Sequence, residues 1–238
     1  AYNVLSLLLA HMHPAYSVIF FPTAPGAGYG LLIWMAVGVL IGVVPPAAWF
    51  GFFGLALATL LIVFGLLSSM LHLGRPERAW RAFSQWQTSW LSREGVAAVV
   101  TIVPMAYFGI GWVFFEDAAM LSVLGALVTA WCTGMIYASL STINAWLLPL
   151  VAPVYCALAL MSGCILFNVL VTVWFGKESE LIWLGLILVL AAWLMKVVYW
   201  SQIDTEHKTA TAGDATGWAE FGTVKVLEPA HSQPNFVL

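Results

Sequence analysis

The residues that could carry chemistry gather between positions 71 and 95. This stretch reads LHLGRPERAWRAFSQWQTSWLSREG and contains four of the chain's eight basic residues, with one histidine and two glutamates. It separates two long apolar runs, so its ionisable groups lie at one edge of a membrane. Ionisable residues in that position indicate a functional site.

His72 and Glu94 are the strongest candidates within this stretch. His72 ends the second apolar run and Glu94 begins the third, so the loop returns both to one membrane depth. Histidine and a desolvated glutamate can accept and release protons near neutral pH, as the two-electron, two-proton chemistry of a quinone requires. The spacing equally allows a structural alternative, in which Glu94 pairs with Arg93 or Arg75 and His72 caps a helix.

A second polar group follows the fourth apolar run. It could line the same cavity, or it could hold helices together, as small polar residues do in membranes. Its members are Tyr137, Ser139, Ser141, Thr142 and Asn144.

The elements that must position these residues are membrane helices. The chain is 62% hydrophobic and 8% charged, with a mean hydropathy of +0.95, which excludes a soluble domain. A span needs about 20 apolar residues, and it must be helical because lipid cannot pair with backbone groups. Six runs qualify: 27–44, 49–72, 95–115, 118–138, 146–174 and 180–200. The predicted fold is an all-α, polytopic transmembrane helical bundle.

Two further segments are predicted to lie at the membrane surface. Residues 1–25 contain histidines and prolines without a basic segment, which predicts an amphipathic lead-in rather than a signal peptide. The second loop predicts an interfacial amphipathic helix, because its aromatic residues recur every three or four positions. These aromatic residues are Trp80, Phe83, Trp86 and Trp90.

Charge sets the predicted orientation and the domain boundaries. With alternating spans, seven of the eight basic residues share one face with both termini, and only Lys177 lies opposite. The positive-inside rule places that face in the cytoplasm of a bacterial inner membrane. Residues 1–200 form the predicted transmembrane, quinone-interacting domain, and residues 201–238 form a polar cytoplasmic tail.

Short segments throughout the chain resemble those of a known family. They are MHPAYSVIFF, GAGYG, LHLGRPERAWRAF, SWLSREG, MIYASLSTI, TAGDATG and VKVLEPAH. The family is that of the membrane anchor subunits of the dimethyl sulfoxide reductase type, within the wider group of polysulfide and nitrite reductase membrane subunits. Sulfite dehydrogenase membrane subunits are similar. Family members usually have eight membrane helices, and two further helices would make residues 201–238 an inter-helix loop of a longer protein.

The resemblance implies a subunit without haem, metal or iron–sulfur cluster. Such a subunit exchanges electrons between menaquinone or ubiquinone and a ferredoxin-like iron–sulfur subunit, which connects to a molybdopterin catalytic subunit. The family's quinone-site histidine and acid correspond to His72 and Glu94. Arg75 and Tyr137 are expected to complete this quinone-binding and proton-transfer site, and no residue is assigned as catalytic.

The expected partners are the two soluble subunits and membrane lipid, with no nucleic acid. Arg78, Arg81 and Arg93 are predicted to dock the soluble partner. A cytoplasmic docking face suits a sulfite-oxidising complex better than one with an exported catalytic subunit. Two alternatives remain: a purely structural anchor, and a secondary transporter, which should show inverted repeats and polar groups at mid-membrane.

Overall fold

A computed structural model describes residues 16–44, 47–69, 76–111, 116–140, 143–176 and 179–205. This part of the chain is helical throughout, and six of its helices contain segments long and apolar enough to cross a membrane. The predicted all-α bundle is therefore confirmed. The six helices are α1 (Tyr16–Leu40), α2 (Ala48–Ser68), α3 (Trp90–Ile110), α4 (Glu116–Ala138), α5 (Val151–Phe175) and α6 (Ile182–Thr205). The last helix extends five residues into the predicted tail, and residues 206–238 lie outside the described ranges.

The first helix begins earlier than the sequence predicts. The expectation of a surface lead-in is wrong for residues 16–25, which belong to α1, whereas residues 1–15 lie outside the described part. Pro22 and Pro25 lie inside this helix, since prolines are tolerated in membrane helices that pack against neighbours. Pro25 is buried against Gly65 of α2, where a Cβ atom would overlap the proline ring.

Helix α1 lies at the centre of the bundle, in contact with α2, α4 and α5. All residues from Leu31 to Ala36 are buried, as expected for a helix that is apolar on every side. Gly30 brings the α1 backbone against that of α5, because a Cβ atom there would overlap the Ala159 carbonyl. The glycines of this segment therefore permit close helix approach.

The outer helices complete the bundle. Helix α3 packs on α4, and α6 packs on α5. Because neighbouring helices alternate in direction, the ends of α2, α4 and α6 lie with the starts of α1, α3 and α5. This is the end from which the arginine-containing second loop emerges, and it is called the Arg-rich end below.

The second loop contains an interfacial element that is shorter than the aromatic spacing predicts. A 3-10 helix covers Pro76–Phe83, and turns follow to residue 88. Trp86 therefore lies in a turn, and Trp90 opens α3. The side chains of Trp80, Phe83 and Trp86 are exposed, as expected for aromatic residues that meet lipid headgroups or a partner.

Candidate functional site

Glu94 lies inside the bundle near the start of α3. Its side chain is 3% exposed. Among the residues whose burial the structure describes, Glu94 is the one charged residue that is buried. The Thr133 hydroxyl of α4 donates a hydrogen bond to Glu94 Oε1 at 2.6 Å. A carboxyl group removed from water in this way needs such a donor, because burying an unpaired ionised group is costly.

The neighbouring Arg93 forms its hydrogen bonds with backbone carbonyls and not with Glu94. Its Nε donates to the Trp86 carbonyl at 2.9 Å, and its Nη2 donates to the Gln87 carbonyl at 2.6 Å. Its guanidinium carbon lies 4.3 Å from the centroid of the Trp90 ring. The alternative in which Glu94 pairs with Arg93 is therefore wrong. Arg93 instead binds the interfacial segment to the start of α3.

Further hydroxyl groups surround Glu94 in the seam between α3, α4 and α1. The hydroxyls of Thr101 and Thr129 lie 3.2 Å apart, and both residues are buried. The Tyr29 hydroxyl of α1 lies beside Thr129 without a well-formed hydrogen bond to any described residue. A polar network in this apolar interior fixes how the three helices fit together.

The sequence of α4 accounts for its share of the network. Thr129, Thr133 and Tyr137 are spaced by four residues, which places them on one face of the helix. The Thr129 hydroxyl also donates to the Gly125 carbonyl. The Thr129 carbonyl lies 3.1 Å from the Thr133 oxygen and is the more distant of two acceptors for its single proton. Such bonds to the preceding turn satisfy threonine hydroxyls inside a membrane helix.

A cavity of about 440 Å³ opens between α1, α4, α5 and α6 at the Arg-rich end. Its walls are mostly apolar, and Tyr137, the tyrosine predicted to belong to the site, lines it. The Tyr137 ring packs edge-on against Trp146, with 5.1 Å between ring centroids. Glu94 is not among the lining residues, so the acid and the cavity are separate features of one end of the bundle.

Tyr155 of α5 lines the cavity and also lies near Glu94 and Thr133. Its hydroxyl donates to the Pro22 carbonyl at 2.8 Å, and a Cβ atom on Gly26 would lie 3.1 Å from that hydroxyl. Pro22 and Gly26 both line the cavity, as does Tyr155 itself. Helices α4 and α5 approach closely here, because a Cβ atom on Gly134 would lie 2.8 Å from Ala152 Cα. The Thr133 side chain therefore lies near the Tyr155 hydroxyl, without a well-formed hydrogen bond to it.

Lys196 of α6 brings a cation to the opposite wall of the cavity. Its ammonium lies 4.3 Å from the Tyr199 ring centroid and 5.5 Å from that of Trp200. Tyr199 is held in turn, because its hydroxyl donates to the Ala145 carbonyl at 2.8 Å. A lysine on an apolar wall can donate hydrogen bonds to an oxygen atom of a bound molecule.

The remaining predicted residues are only partly described. His72, Arg75, Ser141 and Thr142 lie outside the described ranges, as do the side chains of Arg78 and Asn144. Arg81 is exposed, with its guanidinium carbon 5.7 Å from the Trp80 ring centroid, and Ser139 is exposed at the end of α4. The structure thus brings Glu94 and Tyr137 to one end of the bundle, and the contribution of His72 stays a prediction.

Sequence reasoning missed Thr133, Tyr155 and Lys196. A signal existed for Thr133, because it continues the four-residue spacing that ends at Tyr137. A signal existed for Lys196 as well, because an ionisable residue late in an apolar run indicates function. The orientation argument instead grouped Lys196 with the basic residues of the loops. Nothing in the local sequence distinguishes Tyr155 from an interfacial anchor.

No metal centre is found in the described part of the chain. No three His, Cys, Asp or Glu side chains converge there on a point that could hold a metal ion. Cys132, Cys156 and Cys164 are free thiols. The groups described at this end, a carboxyl, hydroxyls and the Lys196 ammonium, can form hydrogen bonds and exchange protons.

Known proteins resemble this chain over most of its length. Residues 10–228 match the family described as DMSO reductase anchor subunit (DmsC). A sulfite dehydrogenase subunit of Allochromatium vinosum is 39% identical over 176 residues, which are 65% of this chain and 54% of the relative. The chain thus spans about half the length of that relative, and no solved structure matches it. Because the family match covers most of the chain, this multi-pass membrane protein belongs to the DMSO reductase anchor subunit family.

Proposed function

We propose that this protein is the quinone-interacting membrane subunit of a multisubunit molybdopterin and iron–sulfur oxidoreductase. It passes electrons between menaquinone or ubiquinone and a ferredoxin-like iron–sulfur subunit, which connects to the molybdopterin catalytic subunit. The carrying observation is a buried carboxyl group, Glu94, held by the Thr133 hydroxyl at the same Arg-rich end of the bundle as a mostly apolar cavity. Family membership supports the same proposal.

The cavity fits a quinone headgroup in size and chemistry. Its volume of about 440 Å³ lies within the roughly 300–1,000 Å³ of typical small-molecule sites. Apolar walls suit a ring and the start of an isoprenoid tail, and a quinone brings two carbonyl oxygens that accept hydrogen bonds. The Tyr137 hydroxyl and the Lys196 ammonium are donors at the cavity wall.

The protein's own groups then have separate tasks. A bound quinone supplies exchangeable two-electron redox chemistry. Tyr137 and Lys196 orient its oxygens, and the packed ends of α1, α4, α5 and α6 keep bulk water away. Glu94, which Thr133 holds in one position, takes up and returns protons.

Direction and substrate are proposed from the relative. Its name, which is that of a sulfite dehydrogenase subunit, supports electron flow from a sulfite-oxidising catalytic subunit into quinone. Arg81 and the exposed aromatic residues of the second loop would face the iron–sulfur partner at the cytoplasmic surface. The substrate is bound by the catalytic subunit in this proposal, and this chain handles only quinone.

The test uses the purified complex with a fluorescent hydroxyquinoline N-oxide as a quinol analogue. We expect Tyr137→Phe to weaken analogue binding about tenfold through the loss of one hydrogen bond. We expect Glu94→Gln to slow quinone-linked reduction or reoxidation of the partner's clusters. Thr59→Val is the matched control, since the Thr59 hydroxyl of α2 donates to the Leu55 carbonyl and does not line the cavity.

The same experiment separates this proposal from a purely structural anchor. An anchor that never touches quinone would bind the analogue equally well, or equally poorly, in the parent and in both variants. It would also leave the rate of cluster reduction unchanged when Glu94 or Tyr137 is replaced. That pattern would overturn the proposal.

A further inference from the structure

Glu94 does not line the cavity, although the proposed function requires protons to pass between the two. The side chains between them identify the route. Thr133 donates to Glu94 Oε1 at 2.6 Å, and it is completely buried. A proton can therefore reach Glu94 Oε1 from the cavity through the Thr133 hydroxyl.

The Tyr155 hydroxyl connects that threonine to the cavity. It contacts Pro22 and Gly26, which both line the cavity. Helices α4 and α5 approach closely beside Thr133 and Tyr155, because a Cβ atom on Gly134 would lie 2.8 Å from Ala152 Cα. The Thr133 side chain lies near the Tyr155 hydroxyl. In the structure its proton points to the Pro22 carbonyl. Rotation of the hydroxyl about the ring bond redirects that proton to the Thr133 oxygen, whose own proton already points to Glu94.

We propose that Tyr155 and Thr133 form a hydroxyl relay that carries protons between the cavity and Glu94. The relay rests on the proposed function, since it needs a quinol or quinone in the cavity. When a quinol is oxidised, its O–H bond breaks and its proton passes to the Tyr155 oxygen. Tyr155 gives its own proton to Thr133, and Thr133 gives its proton to Glu94 Oε1. The electrons go to the iron–sulfur partner, and quinone reduction runs the same steps in reverse.

The relay assigns different roles to two tyrosines of one cavity. Tyr137 touches the bound molecule and sets its affinity, whereas Tyr155 also passes its proton onward. Thr133 is a positioning residue that acts through Glu94. Loss of the Thr133 hydroxyl should therefore slow proton-coupled electron transfer without weakening binding.

The experiment compares Thr133→Val, Thr133→Ser and Tyr155→Phe in the intact complex. Valine keeps the shape of threonine without its hydroxyl, and serine keeps the hydroxyl. Two quantities are measured: the affinity for the hydroxyquinoline N-oxide, and the rate of quinone-linked cluster oxidation or reduction in H2O and in D2O. Thr59→Val is again the control, because its hydroxyl lies on α2, off the route.

Thr133→Val is expected to keep analogue affinity within about twofold. Thr133→Val and Tyr155→Phe are both expected to lower the rate at least about tenfold, with a larger solvent isotope effect. Thr133→Ser should restore the rate. The double variant Thr133→Val with Glu94→Gln should be no slower than the slower single variant, because both changes break one route.

Two outcomes would overturn the inference, and they are distinguishable. Parental rates in Thr133→Val and Tyr155→Phe, with analogue binding intact and sensitive to Tyr137→Phe, would reject the relay and leave the proposed function standing. Failure of the parent complex to bind the analogue or to exchange electrons with quinone would reject both. Tyr155→Phe removes a single oxygen atom, so it keeps the test open if Thr133→Val does not assemble.

Discussion

Neighbouring residues at the start of α3 have opposite environments. Arg93 turns outward to the carbonyls of Trp86 and Gln87, while Glu94 turns inward to Thr133. Consecutive residues of a helix point about 100° apart, so one turn can serve the loop and the interior at once. The arginine fixes the interfacial segment, and the glutamate belongs to the buried network.

Replacement of Arg93 should therefore loosen the second loop. Arg93→Ala removes two charge-assisted hydrogen bonds and the stacking on Trp90, which together contribute about 1–2 kcal/mol at an exposed site. Backbone amides of residues 84–89 should exchange hydrogen roughly tenfold faster. The measurement is hydrogen exchange followed by mass spectrometry on the purified protein.

Arg81→Ala is the matched control for this prediction. Arg81 lies in the same loop, and its guanidinium carbon is 5.7 Å from the Trp80 ring centroid. The control should leave exchange at residues 84–89 near the parental rate. Equal acceleration by both variants would indicate a general charge effect instead of the specific bonds of Arg93.

The candidate site could be predicted from the sequence only in part. An acid at the start of an apolar run was recognisable, because ionisable residues are rare in membrane helices. The hydrogen-bond partner of Glu94 was not recognisable, because Thr133 lies 39 positions away along the chain. Tyr155 was not recognisable either, because it contacts α1 and lies near α4. Such neighbours depend on the rotation of packed helices about their axes, which a single sequence does not specify.

At the scale of elements, small residues decide where helices meet. Gly30 of α1 and Gly163 of α5 face each other so closely that a Cβ atom on either would overlap the other backbone. The indole nitrogen of Trp34 donates to the Leu160 carbonyl at 2.9 Å beside this crossing. Close backbone approach of this kind replaces the hydrophobic driving force that lipid removes.

An added methyl group at this crossing should destabilise the bundle. In Gly30→Ala the methyl carbon would meet the Ala159 backbone, which cannot rotate away as a side chain could. We expect a loss of about 2–3 kcal/mol in the free energy of unfolding. Thermal unfolding in mild detergent measures it.

Gly109→Ala provides the comparison, because its Cβ atom would lie at an ordinary contact distance of 3.6 Å from Leu55. This substitution in α3 should leave the unfolding temperature close to that of the parent. A similar loss in both variants would contradict close packing at the α1–α5 crossing as the cause.

The boundaries of the helices show where sequence patterns are informative. Apolar runs located all six spans, because a membrane imposes a minimum length on every helix. They failed at residues 16–25, which were predicted to lie in a surface lead-in, and at the second loop, where aromatic spacing suggested a longer helix than Pro76–Phe83. At residues 16–25 the reason is packing against a neighbour, because Pro25 is buried against Gly65 of α2.

At the scale of the whole molecule, the Arg-rich end is proposed to face the cytoplasm. Single cysteines at Ser84 and Ser139, which are exposed at that end, should react with a membrane-impermeant maleimide only after cells are permeabilised. Cysteines at Ile41 and Glu180, exposed at the opposite end, should react in intact cells. The parent protein measures the background from its three native thiols.

The reverse labelling pattern would place the arginines outside the cell. It would contradict the positive-inside assignment, and the proposed iron–sulfur partner would then have to dock in the periplasm. Labelling of all four positions in intact cells would instead indicate leaky membranes, which a cytoplasmic marker protein detects.

The central position of α1 has a consequence for biogenesis. This helix emerges from the ribosome before α5, against which it packs: Tyr155, the partner of Pro22, follows 133 residues later, and Leu160, the partner of Trp34, follows 126 residues later. Synthesis of that intervening chain takes on the order of ten seconds. Throughout that interval a glycine-rich helix, apolar on every side, must stay in the insertion machinery or in lipid without α5. Truncated chains that end before α5 should therefore be natural substrates for membrane proteases.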